Sequence, residues 1–313
     1  MTCRRSATAA LGLLLVSGAC ATTENPTPIA AQLLATAEEQ AAAGAAEEAL
    51  ASIEPLAGDQ CPERMRDRRD LVKATAEVGR EEYWDAFLIL ERFSDDYPLS
   101  DLRPQVMDLL WSISAALLER DTSFWVFWSD RAGARAVLEH LITRHPDTQR
   151  LADALRILGD MAFDSQDFEM AQARYREIIL ERPDSDWRFY ANFRFAMSIA
   201  AGLRGPEYDL DGMKIAATEL RTFLRSAPEN PTMVREAEAA LAQVLEWQIQ
   251  RHLKVIAYYR TLGNLEGQLH HARLATRDEL SGSPGYDEAA ALLERLEAER
   301  ARAAAPAPNG GRP

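Results

Sequence analysis

Lysine is nearly missing from this chain. Lys73, Lys214 and Lys254 are the only ones among 35 basic residues, so arginine carries almost all of the positive charge. Acidic residues outnumber both together at 49, and the net charge over 313 residues is −14. A fold that wraps nucleic acid needs a concentrated basic face, so this balance argues against nucleic acid as a partner. It argues equally against broad electrostatic adhesion to anionic lipid heads. Cysteine is scarce as well, with only Cys3, Cys20 and Cys61. The one long apolar run, Ala7 to Val16, is too short to cross a bilayer as a helix, which takes about 20 residues. No stretch alternates apolar and polar residues in the manner of a strand.

The signatures of catalysis are also missing. There is no G-x-S-x-G, no H-E-x-x-H and no Gly-rich phosphate loop, and catalysis needs an acid, base, nucleophile or metal held in a pocket. The histidines are His140, His145, His252, His270 and His271. Adjacent His270 and His271 diverge by about 100° on a helix and cannot share a metal, so solvated or packing roles are expected. Glu207, Asp209, Asp211 and Gly212 imitate the opening of a calcium loop. The twelfth position from Glu207 is Thr218, where a bidentate glutamate is required, and Glu219 comes one residue late. A solvated acidic loop is the expectation, with no metal and no cofactor.

What is present begins with an address. Arg4 and Arg5 precede the apolar run, and Ser17, Gly18 and Ala19 lead into Cys20. A positive start, a short apolar stretch and small residues before a cysteine resemble the bacterial lipobox. Residues 1–19 then form a signal peptide, and Cys20 becomes the lipidated N-terminus of the mature chain. The alternative is an ordinary signal peptide with a chance cysteine. Arg4-Arg5 is a poor twin-arginine match in its flanks, so the general secretory route is favoured. Ala21, where the enteric sorting rule places aspartate for inner-membrane retention, points to the outer membrane. Residues 20–28 read as a polar tether, and several acyl chains exceed the two-signal threshold for stable anchoring. Cys61 is left without a partner in the mature chain, so no internal disulfide is expected.

The body repeats itself. Leu151 to Pro183 carries Leu158-Gly159, Phe168, Ala171, Tyr175 and Pro183 where a tetratricopeptide repeat places them. Small Gly159 and Ala171 allow two helices to cross closely, Tyr175 fills the space beneath the next hairpin, and Pro183 ends the second helix. Ser165-Gln166-Asp167 is the turn between the helices. The second-helix signature recurs as Ala86, Leu90, Phe93 and Pro98, as Ala134, Leu138, Leu141 and Pro146, and as Ala216, Leu220, Phe223 and Pro228. Ala43, Leu50 and Pro55 read as a weaker first copy. The expected fold is an all-α, tetratricopeptide-like helical-hairpin solenoid of about six repeats over residues 29–300. Residues 301–313 form a Pro/Gly/Ala tail that reads as disordered.

Two repeats carry insertions, near 119–131 and 202–212. The first contains Phe124-Trp125-Val126-Phe127-Trp128. It is either core folded beneath the insertion or an anchor for a partner or membrane interface, with Trp125 and Trp128 as the contact residues. A long helix is expected over 232–262, with Leu241, Leu245, Ile249, Leu253 and Ile256 as one stripe. A break at Gly263-Asn264, a further helix to about Leu280 and a cap over 286–300 follow.

Residues 237–263, with His252, Val255, Tyr258-Tyr259 and Gly263, resemble the BamD family of outer-membrane lipoproteins, the tetratricopeptide component of the β-barrel assembly machinery. The acidic loop at Glu207 to Asp211, the proline turn at Asp95 to Leu110 and the lipobox extend the likeness. The chain departs from the family in having about six repeats rather than five. It also has His271, with Arg273 two residues on, where the family places an arginine that helps dock the barrel protein. The resemblance implies a non-catalytic scaffold on the periplasmic face of the outer membrane. Its partners would be the periplasmic domains of the barrel insertase, met through Tyr258, His271 and Arg273. The alternative is a repeat lipoprotein that regulates peptidoglycan synthesis or cell division. An enzyme with a helical body, such as a lytic transglycosylase, lacks room for its catalytic domain.

Overall fold

Alanine, leucine, glutamate and arginine dominate the chain, and each favours helix. The computed structural model describes residues 28–120, 129–226 and 229–304. Cys20, Trp125, Trp128, Pro228 and the tail from 305 onward lie outside the described residues. Among the described residues every regular element is helical. In chain order these are α1 (Pro28–Ala42), α2 (Ala46–Ile53), α3 (Arg66–Gly79), α4 (Tyr83–Glu91), α5 (Phe93–Asp96), α6 (Arg103–Arg120) and α7 (Asp130–Arg144). Then come α8 (Leu151–Asp164), α9 (Phe168–Glu181), α10 (Arg188–Ala201), α11 (Leu210–Arg225), α12 (Pro231–Thr261), α13 (Leu265–Ala275) and α14 (Tyr286–Ala304). The last helix runs four residues past the expected end at 300.

The chain divides into two compact units, Met1–Val106 and Met107–Pro313. In the first, α1 packs on α2, both meet α3, and α3 packs on α4. In the second, α7 through α14 each pack on the next helix in sequence. Packing on sequential neighbours is what a helical-hairpin repeat requires, because no single hairpin can bury its own apolar face.

The repeat signature maps onto the core position by position. Ala86, Leu90 and Phe93, Ala134, Leu138 and Leu141, Ala171, Tyr175 and Ile178, and Ala216, Leu220 and Phe223 are all buried. Their spacing places small, large and large residues on one helical face. Helices α5, α7 and α9 end at Asp96, Arg144 and Glu181, each two residues before its proline, since the residue preceding proline is pushed out of helical backbone. The first copy is differently registered from the sequence expectation. Ala43 is exposed and Leu50 half-buried. The buried set is instead Ala49, Ile53, Leu56 and Cys61, which keeps the spacing and puts cysteine where the others have proline. The last hairpin uses Gln268, Ala272, Ala275 and Leu280 at the same intervals, all buried.

One turn closes four hairpins. Gly44, Glu81, Gln166 and Gly263 each adopt positive φ, between 62° and 79°. In each, the following amide reaches back five residues: Ala45 to Gln40, Glu82 to Glu77, Asp167 to Ala162 and Asn264 to Tyr259, at 2.9–3.0 Å. This is the Schellman closure, which satisfies carbonyls that a helix end would otherwise strand. The next helix begins two residues after the positive-φ position in every case.

Candidate partner surface

The second unit holds two polar clusters. The first joins α8, α9 and α10 around Asp160. Its Oδ1 accepts hydrogen bonds from the Tyr175 and Tyr190 hydroxyls, both at 2.7 Å. Its Oδ2 accepts from Arg156 at 2.7 Å, and Arg194 donates to the Tyr175 oxygen at 3.2 Å. Both guanidiniums lie over aromatic rings, Arg156 on Trp187 at 4.4 Å and Arg194 on Phe163 at 3.8 Å. The Trp187 indole donates to Asp153 at 2.8 Å. Burial raises the Tyr190 phenol to about 12, helped by the Asp160 carboxylate, and Tyr175 is raised for the same reasons. A carboxylate bonded by two phenols and a guanidinium, with a second guanidinium 3.7 Å from it, is a structural stitch across three helices.

The second cluster lies at the α12–α13 hairpin, where the sequence resemblance concentrates. Asn264 caps α13 by accepting from the Gly267 amide at 2.9 Å. That turn folds α13 back along α12 and sets the Nδ1 atoms of His252 and His271 3.2 Å apart. One neutral imidazole donates through Nδ1 and the other accepts. Tyr259 stacks on the His271 ring at 5.7 Å, tilted by only 27°. Gly267 gives the tyrosine room, since a Cβ there would stand 2.6 Å from its ring. Sequence reading asked only whether adjacent His270 and His271 share a ligand and so missed this pair. His252 and His271 lie 11 residues before and 8 residues after Gly263, an offset that does not announce their pairing without the exact hairpin register.

The surrounding surface is mixed. Tyr258 and Leu262 lie one turn apart at the end of α12 and are 61% and 58% exposed. On the loop before α11, Glu207 pairs with Lys254 of α12, and its carbonyl accepts from Arg251 at 3.1 Å. Beside it Tyr208 is 64% exposed. Asp209 accepts from the Gly212 amide at 2.8 Å as the N-cap of α11, and Asp211 pairs with Lys214 at 2.9 Å. The acidic loop is solvent-exposed, as expected, and its residues also cap α11 and pair with lysines. Among the described residues no group of three or more His, Cys, Asp or Glu is arranged to hold a metal ion.

Of the partner residues read from sequence, Tyr258 faces outward, His271 faces α12, and Arg273 pairs with Glu297 of α14 at 3.1 Å. Arg300 of α14 also pairs with Glu266, at 3.0 Å. Helix α14 thus lies on α13 and also meets α12, while Tyr258 and Leu262 at the end of α12 stay exposed. Trp125, Trp128 and Cys20, the position expected to carry lipid, lie outside the described residues. Cys61 is buried, and burial raises its thiol, which suits a packing residue and not a reactive one. No family model matches the chain, and no curated protein matches it.

Proposed function

We propose that this chain is a non-catalytic envelope lipoprotein of BamD-like type, anchored through Cys20 at the periplasmic face of the outer membrane. In that role it assists the assembly of β-barrel proteins. The observation that carries the reading is the end of α12. There the segment that resembles the family leaves Tyr258 and Leu262 exposed on an otherwise well-packed hairpin. Aromatic residues of this kind dominate the energetics of protein interfaces. The family's docking cation is not reproduced, because His271 is turned toward His252 and Arg273 is held by Glu297. Docking at this end therefore rests on shape and apolar contact, and its dependence on ionic strength is weak.

The test is capture of envelope proteins by the full-length lipidated chain. The barrel insertase is expected to co-purify. The double substitution Tyr258→Ala with Leu262→Ala should weaken capture by about 30-fold, as loss of an interface hot spot does, while leaving the melting temperature unchanged. Capture of a peptidoglycan synthase in place of the insertase would defeat this reading and favour the alternative adaptor role.

A further inference from the structure

We infer that the His252–His271 pair is an acid-released clasp, which holds the α12–α13 hairpin closed at neutral pH and frees it on acidification. The geometry is an interlock of four residues. His252 is buried on α12 and bonded Nδ1 to Nδ1 to His271 of α13. His271 is covered by Tyr259, and Tyr259 is seated on Gly267, where any side chain would collide with it. The bond exists only while one ring keeps a bare Nδ1. A second proton there sets N–H against N–H and leaves a buried cation.

No carboxylate is among the groups whose charge acts on the pair. These are Lys214 of α11, Arg251 of α12, His270 of α13 and Arg277 just beyond it, all basic. Tyr259 also faces His271, through its ring. The carboxylates at this end are committed elsewhere, Glu207 to Lys254, Glu266 to Arg300 and Glu297 to Arg273. Burial first, then these cations, lower His252 from 6.5 to about 4, and burial lowers His271 too. A base whose folded value is depressed stabilises the fold fully above its unfolded value. Here the stability is lost as pH falls from 6.5 toward 4, because the opened hairpin takes up protons that the closed one refuses. With His252 alone, the opening equilibrium grows about 30-fold by pH 5.

The experiment is amide hydrogen exchange on the full-length chain between pH 7.5 and 4.5, expressed as protection factors so that intrinsic exchange chemistry cancels. Protection of α13 should fall by about 30-fold by pH 5, while α8 and α9 hold theirs. In the double substitution His252→Leu with His271→Phe, which keeps a ring on Tyr259, α13 protection should be flat across this range. Equal acid loss in the double variant, or no loss in the parent, overturns the inference. The histidine ring protons of the parent supply a reading that does not depend on the variant folding. A depressed, coupled titration of the pair supports the clasp, and an ordinary titration of His252 near 6.5 removes it.

Discussion

At Gly159 the space for a side chain is already taken. A Cβ there would stand 2.7 Å from Cε1 of Tyr175 and 2.9 Å from its Cζ. The ring cannot yield, because its hydroxyl is bonded to Asp160, Arg194 donates to it, and the side chain is fully buried. Gly159→Ala should therefore destabilise the protein by about 1–3 kcal/mol, the usual cost of overpacking, despite alanine's better helix propensity. Gly133 of α7 is the control. Its nearest neighbour is Leu117 Cδ1 at 3.4 Å, an ordinary contact, so Gly133→Ala should be neutral or stabilise by up to about 1 kcal/mol. Urea denaturation of both variants checks the pair, and equal shifts in midpoint would refute the steric account. The small residue at Gly159 was legible as a close helix crossing, but the sequence reading set Tyr175 beneath the next hairpin and not against Gly159. The Asp160 stitch around this contact was not legible. Asp160, Tyr175, Tyr190 and Arg194 lie on three different helices, and no local spacing announces that they meet.

Hairpin elements were readable wherever their residue types were distinctive. Four second helices declared themselves by alanine, large residues and proline at fixed intervals, and the alanine and large residues of each are core. The first copy was misregistered because its proline, Pro55, sits inside a short 3-10 turn and the terminating position is filled by Cys61. The shared turn was half legible. Gly44 and Gly263 advertise positive φ, but Glu81 and Gln166 hide the same conformation behind ordinary side chains. Positive φ costs a side-chain-bearing residue about 1–2 kcal/mol, and glycine adopts it freely at a smaller entropic penalty. Gln166→Gly and Glu81→Gly should thus each stabilise the protein by roughly 0.5–1 kcal/mol. Thermal melts would show a rise of a few degrees at most. A fall in melting temperature would mean that these side chains make contacts outweighing their backbone strain. The His252–His271 bond was illegible for a related reason. It depends on the exact hairpin register, which the Schellman turn at Gly263 sets.

For the whole molecule, the decisive question is how a chain of net charge −14 would be held on the proposed membrane. Its charge opposes adsorption to anionic headgroups, and among the described residues no helix is long and apolar enough to cross a bilayer. The exposed apolar residues of the described surface, such as Leu99, Leu180 and Ile215, lie on separate elements. Scattered residues of this kind do not make an amphipathic anchor, which needs a continuous apolar helix face. The proposed attachment therefore falls to acyl chains on Cys20, each buried methylene contributing about 0.8 kcal/mol, so two or more chains suffice for stable anchoring. Cys20→Ala should move the protein from the membrane fraction to the soluble periplasmic fraction without changing its helical spectrum, since Cys20 lies outside the described helices, which begin at Pro28. A salt wash before fractionation separates lipid anchoring from docking on a membrane-bound partner, provided the Tyr258→Ala, Leu262→Ala background is compared in parallel. Retention of the Cys20→Ala chain that survives both the wash and the surface substitutions would locate the anchor elsewhere, with the segment around Trp125 and Trp128 the next to substitute.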